Sequence, residues 1–246
     1  MKNFRFTISY DGTRFFGWEH QPDKEMTIQG KIETVLSKMT DKEITLIGAG
    51  RTDAGVHAEA MTANAFLDTE LSPEEVKNYL NRYLPDDICI TDCVIAGDRF
   101  HSRYNTLGKT YRYTCLTGEV KPIFDRKYVY YTPEVPNLDE MRKAAGYLIG
   151  EHDFASFCSN PRMKKSTVRT VDRINIERKD NYFIFTFHGN GFLQHMVRIL
   201  TGTLLEVGYG VRSAESIPEL IEAKNRSLAG FTAPAQGLCM IKVDYH

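Results

Sequence analysis

Residues 171–188 read VDRINIERKDNYFIFTFH, two runs rich in β-branched and aromatic residues with a polar turn between them. Such runs predict strands, here at 171–177 and 182–188, that follow each other directly without an intervening helix. The same mixture of consecutive strands with helices recurs in both halves of the chain. It predicts an α+β fold of two α/β-sandwich halves, each with a mostly antiparallel sheet that carries helices on one face.

Apolar periodicity and capping signals predict the other elements. In the first half we expect strands at 4–10, 44–49, 61–67 and 88–95, and helices after Thr27 and after the capping box Ser72-Pro73-Glu74-Glu75. In the second half we expect strands at 109–116, 128–131 and 238–245, and helices after Asn137, at 192–207 before Gly208, and after Ser213 or Ser216. The boundary falls near residue 106, which gives an N-terminal domain, 1–105, and a C-terminal domain, 106–246.

The composition is that of a folded globular protein. With 246 residues, 42% hydrophobic and 26% charged, the chain is neither disordered nor fibrous. No stretch approaches the roughly 20 consecutive apolar residues of a membrane helix. The opening residues MKNFRF alternate like a strand rather than a signal peptide, which predicts a cytoplasmic protein. The cysteines include no CxxC pair and are predicted to be reduced and mostly buried: Cys89, Cys93, Cys115, Cys158 and Cys239.

Charge is distributed unevenly along the chain, although the net charge is only -1. Residues 1–105 hold 12 Lys/Arg and 17 Asp/Glu, whereas residues 106–246 hold 19 and 15. The second half can therefore carry a basic face that meets phosphates. Basic residues are dense from Arg162 onward, and we expect Lys164, Lys165 and Arg169 to contact nucleic-acid phosphates; a solvated surface is the alternative.

The most unusual segment of the chain is GAGRTDAGVHA at 48–58. Its three glycines allow a tight turn and a close approach to a ligand, and it lies between two predicted strands, where functional loops are common. The glycine spacing is not that of a P-loop or of a dinucleotide-binding turn. An ionised Asp53 beside Arg51 can act as a nucleophile or base. Alternatively, Asp53 accepts backbone hydrogen bonds in a turn and Arg51 makes a surface ion pair.

The stretch GRTDAGVHA within this segment resembles the signature of the tRNA pseudouridine synthase A family. Further blocks resemble that family in the same order along nearly the whole chain: SYDGT and FGW within 9–18, RFH and KTYRY within 99–113, GEHDF and SFC within 150–158, GFL and MVR within 191–198, and APAQGL at 233–238. Two residues depart from the usual pattern. Glu19 stands where glutamine is usual, and Ser102 where alanine is usual.

The resemblance implies an isomerase that works as a homodimer, with an active cleft between two α+β halves. Its implied reaction converts uridine to pseudouridine at positions 38, 39 and 40 of the tRNA anticodon stem-loop, without a cofactor. Asp53 is the implied catalytic residue. The target base must leave its stack to reach an enclosed aspartate, and Arg51 is expected to serve as a wedge or phosphate anchor for the flipped nucleotide.

Tyr111 and Tyr113 share one face of the predicted strand at 109–116, where two core aromatic residues are the simplest interpretation. The resemblance implies that Tyr111 lies against the target uracil, where it stacks on the ring or accepts a proton, while Tyr113 stays in the core. Arg198 lies among apolar residues of a predicted helix, so it needs a carboxylate partner or an opening to solvent. The resemblance implies that Asp53 is this partner; a side chain reaching along the surface to water is the alternative.

Other functional classes have less support from the residues. His188 and His195 are seven residues apart, which matches no metal-ligand spacing, and no cysteine accompanies them, so we expect no metal site. A non-catalytic RNA-binding module would use the aromatic and basic residues, but it has no need for Asp53. An aspartate-dependent hydrolase is disfavoured because no motif holds paired carboxylates.

Overall fold

The computed structural model describes residues 1–21, 23, 25–160 and 163–246. Arg162, the first residue of the predicted basic run, lies outside the described residues. The described chain forms ten strands: β1 (Lys2–Tyr10), β2 (Ile47–Gly48), β3 (His57–Leu67), β4 (Ile88–Ile95), β5 (Gly108–Thr117), β6 (Tyr130–Thr132), β7 (Gly150–Asp153), β8 (Val168–Lys179), β9 (Tyr182–Gly189) and β10 (Leu238–Asp244). It also forms five α-helices: α1 (Ile28–Thr40), α2 (Pro73–Tyr83), α3 (Leu138–Tyr147), α4 (Met196–Gly208) and α5 (Ile217–Ala223). Most strand pairs are antiparallel, which confirms the predicted α+β class.

The described residues divide into two compact units. The first is Met1–Leu107 together with Cys239–His246, and the second is Gly108–Leu238. The sequence prediction places the last eight of these residues in the second half. They group with the first unit because β10 pairs in parallel with β3, where Cys239 lies opposite His57 and Met240 opposite Ala58.

In the first unit, β1 lies between β3 and β4 and pairs antiparallel with both, and β2 also pairs with β3. Phe4, Phe6 and Ile8 alternate along β1 and are fully buried. The two helices bury apolar side chains about one turn apart: Ile28, Ile32 and Leu36 in α1, and Val76 and Leu80 in α2. The core of this unit therefore lies between one sheet face and the apolar faces of α1 and α2.

In the second unit the strand order is β6-β5-β9-β8-β7. β9 buries Phe183, Phe185 and Phe187, and its neighbour β5 places Cys115, Tyr113 and Tyr111 opposite them, in that order. α4 is buried almost throughout and packs on α3, which in turn packs on β8. This unit therefore has its own aromatic and aliphatic core.

Three helices begin where their capping residues predict. The Thr27 side chain accepts a hydrogen bond from the Gly30 N–H at the start of α1, and Asn137 accepts from two N–H groups of α3. At α2, the Ser72 side chain accepts from the Glu75 N–H, and the Glu75 side chain accepts from the Ser72 N–H. Reciprocal bonds of this kind satisfy N–H groups that a helix leaves without partners.

Some predicted boundaries are wrong. The strand expected at 44–49 is only the two-residue β2, and the short β7 is absent from the predicted elements. β3 begins at His57, four residues before the predicted start, because its first residues pair with Tyr10 of β1 and with β10, which are distant in sequence. α4 begins at Met196 rather than at residue 192, because His195 has a left-handed backbone conformation (φ 60°) that a right-handed helix does not include.

A buried polar network joins β1, β3 and the segment after β4. Asn64 donates through Nδ2 to Oδ1 of Asn3 (3.0 Å) and accepts at its own Oδ1 from the Ser102 N–H (2.9 Å). Asn3 donates to the carbonyls of Gly97 and Phe100. The Ser102 hydroxyl is fully buried and has no hydrogen-bond partner among the described residues. A buried hydroxyl in this state lowers stability.

We expect Ser102→Ala to raise the free energy of unfolding by up to about 1 kcal/mol, because it removes only that hydroxyl. Ser156→Ala is the matched control. Ser156 is equally buried, but its Oγ donates to the Leu220 carbonyl (2.6 Å) and accepts from the Asn225 N–H (2.8 Å). The free energy of unfolding of the control variant should fall by about 1–3 kcal/mol, since the Leu220 carbonyl and the Asn225 N–H both lose their partner. Urea unfolding measures both changes, and a destabilised Ser102→Ala protein would contradict the expectation.

Candidate active site

Asp53 lies in the loop between β2 and β3 of the first unit, and its neighbours hold this loop firmly. Thr52 is buried, and its Oγ1 shares a hydrogen bond with the Tyr10 hydroxyl at the end of β1 (2.8 Å). The Val56 N–H donates to the Asp53 carbonyl (3.2 Å), and Gly55 adopts a positive φ of 77° that closes the turn. Asp53 itself is half-exposed. The loop thus holds Asp53, a partly exposed residue, on a backbone fixed by hydrogen bonds.

The segment that follows β1 packs against this loop, backbone to backbone. The Trp18 N–H donates to the Thr52 carbonyl (3.1 Å), and the Gly55 N–H donates to the Phe15 carbonyl (3.3 Å). Gly17 has a φ of 96°, and a Cβ there would lie 2.6 Å from the Thr52 carbonyl oxygen, so another residue would push the two segments apart. A Cβ on Gly48 would likewise lie 2.6 Å from the indole of Trp18.

This packing explains the role of Trp18 and His57, which the sequence connects to the site only through the family resemblance. Trp18 is 2% exposed and fills the space above Gly48, with the Tyr10 ring 6.1 Å away. His57 is also buried and joins the same two segments, because its Nδ1 accepts from the Gly12 N–H (3.1 Å) and lies 3.2 Å from an Asp11 carboxylate oxygen. The glycines on both sides of Asp53 are the feature of the sequence which indicates that another segment packs tightly against this loop.

Arg51 makes an ion pair with Glu19, the residue after Trp18. Its Nη2 lies 2.5 Å from Oε1 of Glu19, and the two side chains are 60% and 45% exposed. This is the surface ion pair of the alternative interpretation of Arg51. The Arg51 guanidinium nevertheless stays open to a ligand, because more than half of the side chain faces water.

Tyr111, on β5 of the second unit, is 7% exposed and meets Phe192 edge to face, with ring centroids 5.3 Å apart at 85°. Two residues further along the same strand face, Tyr113 is fully buried, and its hydroxyl donates to the Pro234 carbonyl (2.7 Å). Burial raises the pKa of Tyr113 well above its ordinary value. The core role predicted for Tyr113 is therefore confirmed.

Arg198 lies in the first turn of α4 and is half-buried. Its Nε donates to the Ala233 carbonyl (2.7 Å), and the Ala233 N–H donates back to the Arg198 carbonyl (3.1 Å). Two reciprocal bonds attach the segment before β10 to this turn of the helix. They also fix the direction of the guanidinium, whose Nη groups are donors suited to a ligand.

Lys164 and Lys165 are exposed, as expected of phosphate-contacting residues, but Arg169 is not. The Nη1 of Arg169 donates to the carbonyls of Ser166 (2.9 Å) and Val168 (2.6 Å), and burial lowers its pKa. Its Nε also lies 3.7 Å from the point where Gly191 would carry a side chain. Arg169 is therefore packed against the segment that holds Phe192.

The predicted site residues thus fall into two groups. Arg51 and Asp53 lie in one loop of the first unit. In the second unit, Tyr111 contacts Phe192, Arg169 packs against Gly191, and Arg198 lies in the helical turn that follows these residues. Within the described residues, no group of three His, Cys, Asp or Glu side chains is arranged to hold a metal ion. None of the helices found in those residues has the length and apolar character to cross a membrane.

This chain is similar to known proteins along its whole length. A family model described as tRNA pseudouridine synthase matches residues 7–105 and 144–246. The chain belongs to the tRNA pseudouridine synthase family. It is 44% identical over 245 residues to "tRNA pseudouridine synthase A" of Bacillus sp. (strain KSM-64) and to "tRNA pseudouridine synthase A 2" of Bacillus anthracis, and 40% identical to "tRNA pseudouridine synthase A" of Clostridium kluyveri. Each alignment covers 100% of both chains.

Membership of this family confirms the prediction of an isomerase that makes pseudouridine, over an RNA-binding module or a hydrolase. Arg51, Asp53 and Arg198 lie within the matched ranges. Tyr111 lies between those ranges, but inside the full-length alignments with the relatives.

Proposed function

We propose that this protein converts uridine to pseudouridine at positions 38, 39 and 40 of the tRNA anticodon stem-loop, with Asp53 as its catalytic residue. The observation that carries the proposal is the geometry of the Asp53 loop. The half-exposed residue Asp53 stands on a backbone that Trp18 and Gly17 hold in place, within a chain of this enzyme family. Catalytic groups need such support to keep their orientation.

The reaction moves the base without any change of oxidation state. The bond between N1 of uracil and C1′ of ribose breaks, a bond between C5 and C1′ forms, C5 loses its proton and N1 gains one. The Asp53 carboxylate can serve this exchange by adding to C1′, by adding to C6 of the base, or by taking a ribose proton on a glycal route. All three routes require the target nucleotide to leave its stack.

Other residues take supporting roles in this proposal. Arg51 contacts a phosphate of the flipped nucleotide, and Tyr111 and Arg198 are the uracil-contacting residues of the second unit. Lys164 and Lys165 contact tRNA phosphates, and Arg169 contributes through the N–H groups that do not bond to backbone carbonyls.

We further infer that the protein acts as a homodimer in the cytoplasm. The second unit exposes apolar side chains in one short segment: Val120 is 82%, Ile123 65% and Phe124 91% exposed. Apolar groups clustered on a surface are typical of protein interfaces. The five cysteines are free thiols, as in proteins of a reducing compartment.

Asp53→Asn should abolish pseudouridine formation, by at least ~10³-fold, because it removes the carboxylate while keeping its shape. Tritium release from tRNA labelled at C5 of uridine measures the reaction, and transcripts with cytidine at positions 38–40 should release none. Asp68→Asn, at an exposed carboxylate paired with Lys42, is the control and should leave turnover unchanged. Substantial turnover by Asp53→Asn would remove Asp53 from the mechanism.

Tyr111→Phe separates stacking from proton transfer, because it keeps the ring and removes the hydroxyl. A proton-transfer role predicts a fall in kcat of about 10²-fold or more with little change in tRNA affinity. Tyr113→Phe, on the same face of β5, should instead lose about 1 kcal/mol of stability with its bond to Pro234 and keep its kcat. A near-normal kcat for Tyr111→Phe would leave this residue only a stacking role.

Replacing Lys164 and Lys165 by alanine should weaken tRNA binding and lower the slope of log K against log salt by roughly 0.7–0.9 for each phosphate that the protein no longer neutralises. Turnover at saturating tRNA should stay normal, since Asp53 is unchanged. Lys38→Ala with Lys42→Ala removes the same charge from positions in and after α1 and is the control. Equal effects of the two pairs would mean that the segment at 164–165 makes no specific contact.

A further inference from the structure

Glu19 occupies a fixed position beside the candidate active site. The residue before it, Trp18, is 2% exposed, and its N–H donates to the carbonyl of Thr52, the residue between Arg51 and Asp53. The indole also packs over Gly48, at the start of the same loop. Because residue 18 is anchored to residue 52, residues 19 and 51 are held next to each other.

The Glu19 carboxylate pairs with the Arg51 guanidinium. Oε1 of Glu19 lies 2.5 Å from Nη2 of Arg51, and among the described residues no other carboxylate pairs with Arg51. Both side chains are about half exposed, at 45% and 60%. An ion pair in contact with water is weak, so a stronger acceptor can replace it.

A phosphate of the RNA backbone is such an acceptor. Guanidinium groups bind phosphate through two parallel hydrogen bonds, and the released Glu19 carboxylate would then repel the phosphate that replaced it. The first half of the chain holds more acidic than basic residues. The positive charge of Arg51 therefore matters more for attracting RNA to this half when no carboxylate neutralises it.

We propose that Glu19 competes with the RNA backbone for Arg51, so that a phosphate must displace its carboxylate before the target nucleotide reaches Asp53. This inference rests on the proposed function, because it takes Arg51 as a contact to RNA. It assigns Glu19 as a residue that sets the affinity of the loop for its substrate. Glu19 takes no part in the chemical step.

Glu19→Gln tests the charge alone, because glutamine has the same shape and its amide oxygen can still accept from Arg51. We expect the Kd for tRNA at low salt to fall about three- to fivefold, KM to fall in parallel, and kcat to stay within twofold. In an Arg51→Gln background, the same substitution should change Kd less than about twofold. Glu43→Gln, at another exposed carboxylate of the first unit, is the control for net charge and should also change Kd less than about twofold.

The double-mutant cycle decides between the possible roles of Glu19. Weaker binding by Glu19→Gln would mean that the carboxylate positions Arg51 for RNA, and it would overturn the proposal. Equal effects of Glu19→Gln and Glu43→Gln, or equal effects with and without Arg51, would overturn it too. Tritium release by the unaltered protein keeps the two hypotheses apart. If it occurs and Kd does not respond, only the role of Glu19 fails; if it does not occur, the proposed function fails and this inference with it.

Discussion

The contact between the segment after β1 and the loop of Asp53 is the constraint on which the candidate site depends. Two backbone hydrogen bonds, from Trp18 to Thr52 and from Gly55 to Phe15, join segments that are far apart in sequence. Gly17 allows the two backbones to approach because it carries no side chain, and Gly48 leaves room for the indole of Trp18. The position of Asp53 is thus set by packing and hydrogen bonds within the first unit.

The second unit fixes its site residues by a different means, a packed aromatic face. Tyr113 is buried opposite Phe185 and bonded to the Pro234 carbonyl, which holds β5 in place. Tyr111 lies one step along the same face, and its contact with Phe192 joins it to the segment that leads into α4. A rigid core aromatic residue therefore supports the neighbour to which we assign a role in substrate binding.

The predictions from sequence succeeded where a local signal decides the structure. Helix caps depend on a side chain and an N–H group two or three residues away, so Ser72 and Asn137 mark helix starts correctly. The prediction missed the start of β3, where His57 and Ala58 pair with strands distant in sequence, and the start of α4, where His195 turns the chain out of the helix. The sequence does not identify the ion-pair partner of Arg51 either. Glu19 lies far away in sequence and is brought near Arg51 only by the packing of Trp18.

The sequence by itself determined the α+β class, the family and the loop that holds Asp53, because these follow from local patterning and from a run of residue types at fixed spacing. Tertiary structure alone decided that residues 239–246 join the first unit, that Arg169 is packed against Gly191 rather than free in water, and that Glu19 holds Arg51. Each of these depends on which distant segments meet. Such meetings are set by the burial of side chains throughout a unit, and no single stretch of sequence carries that information.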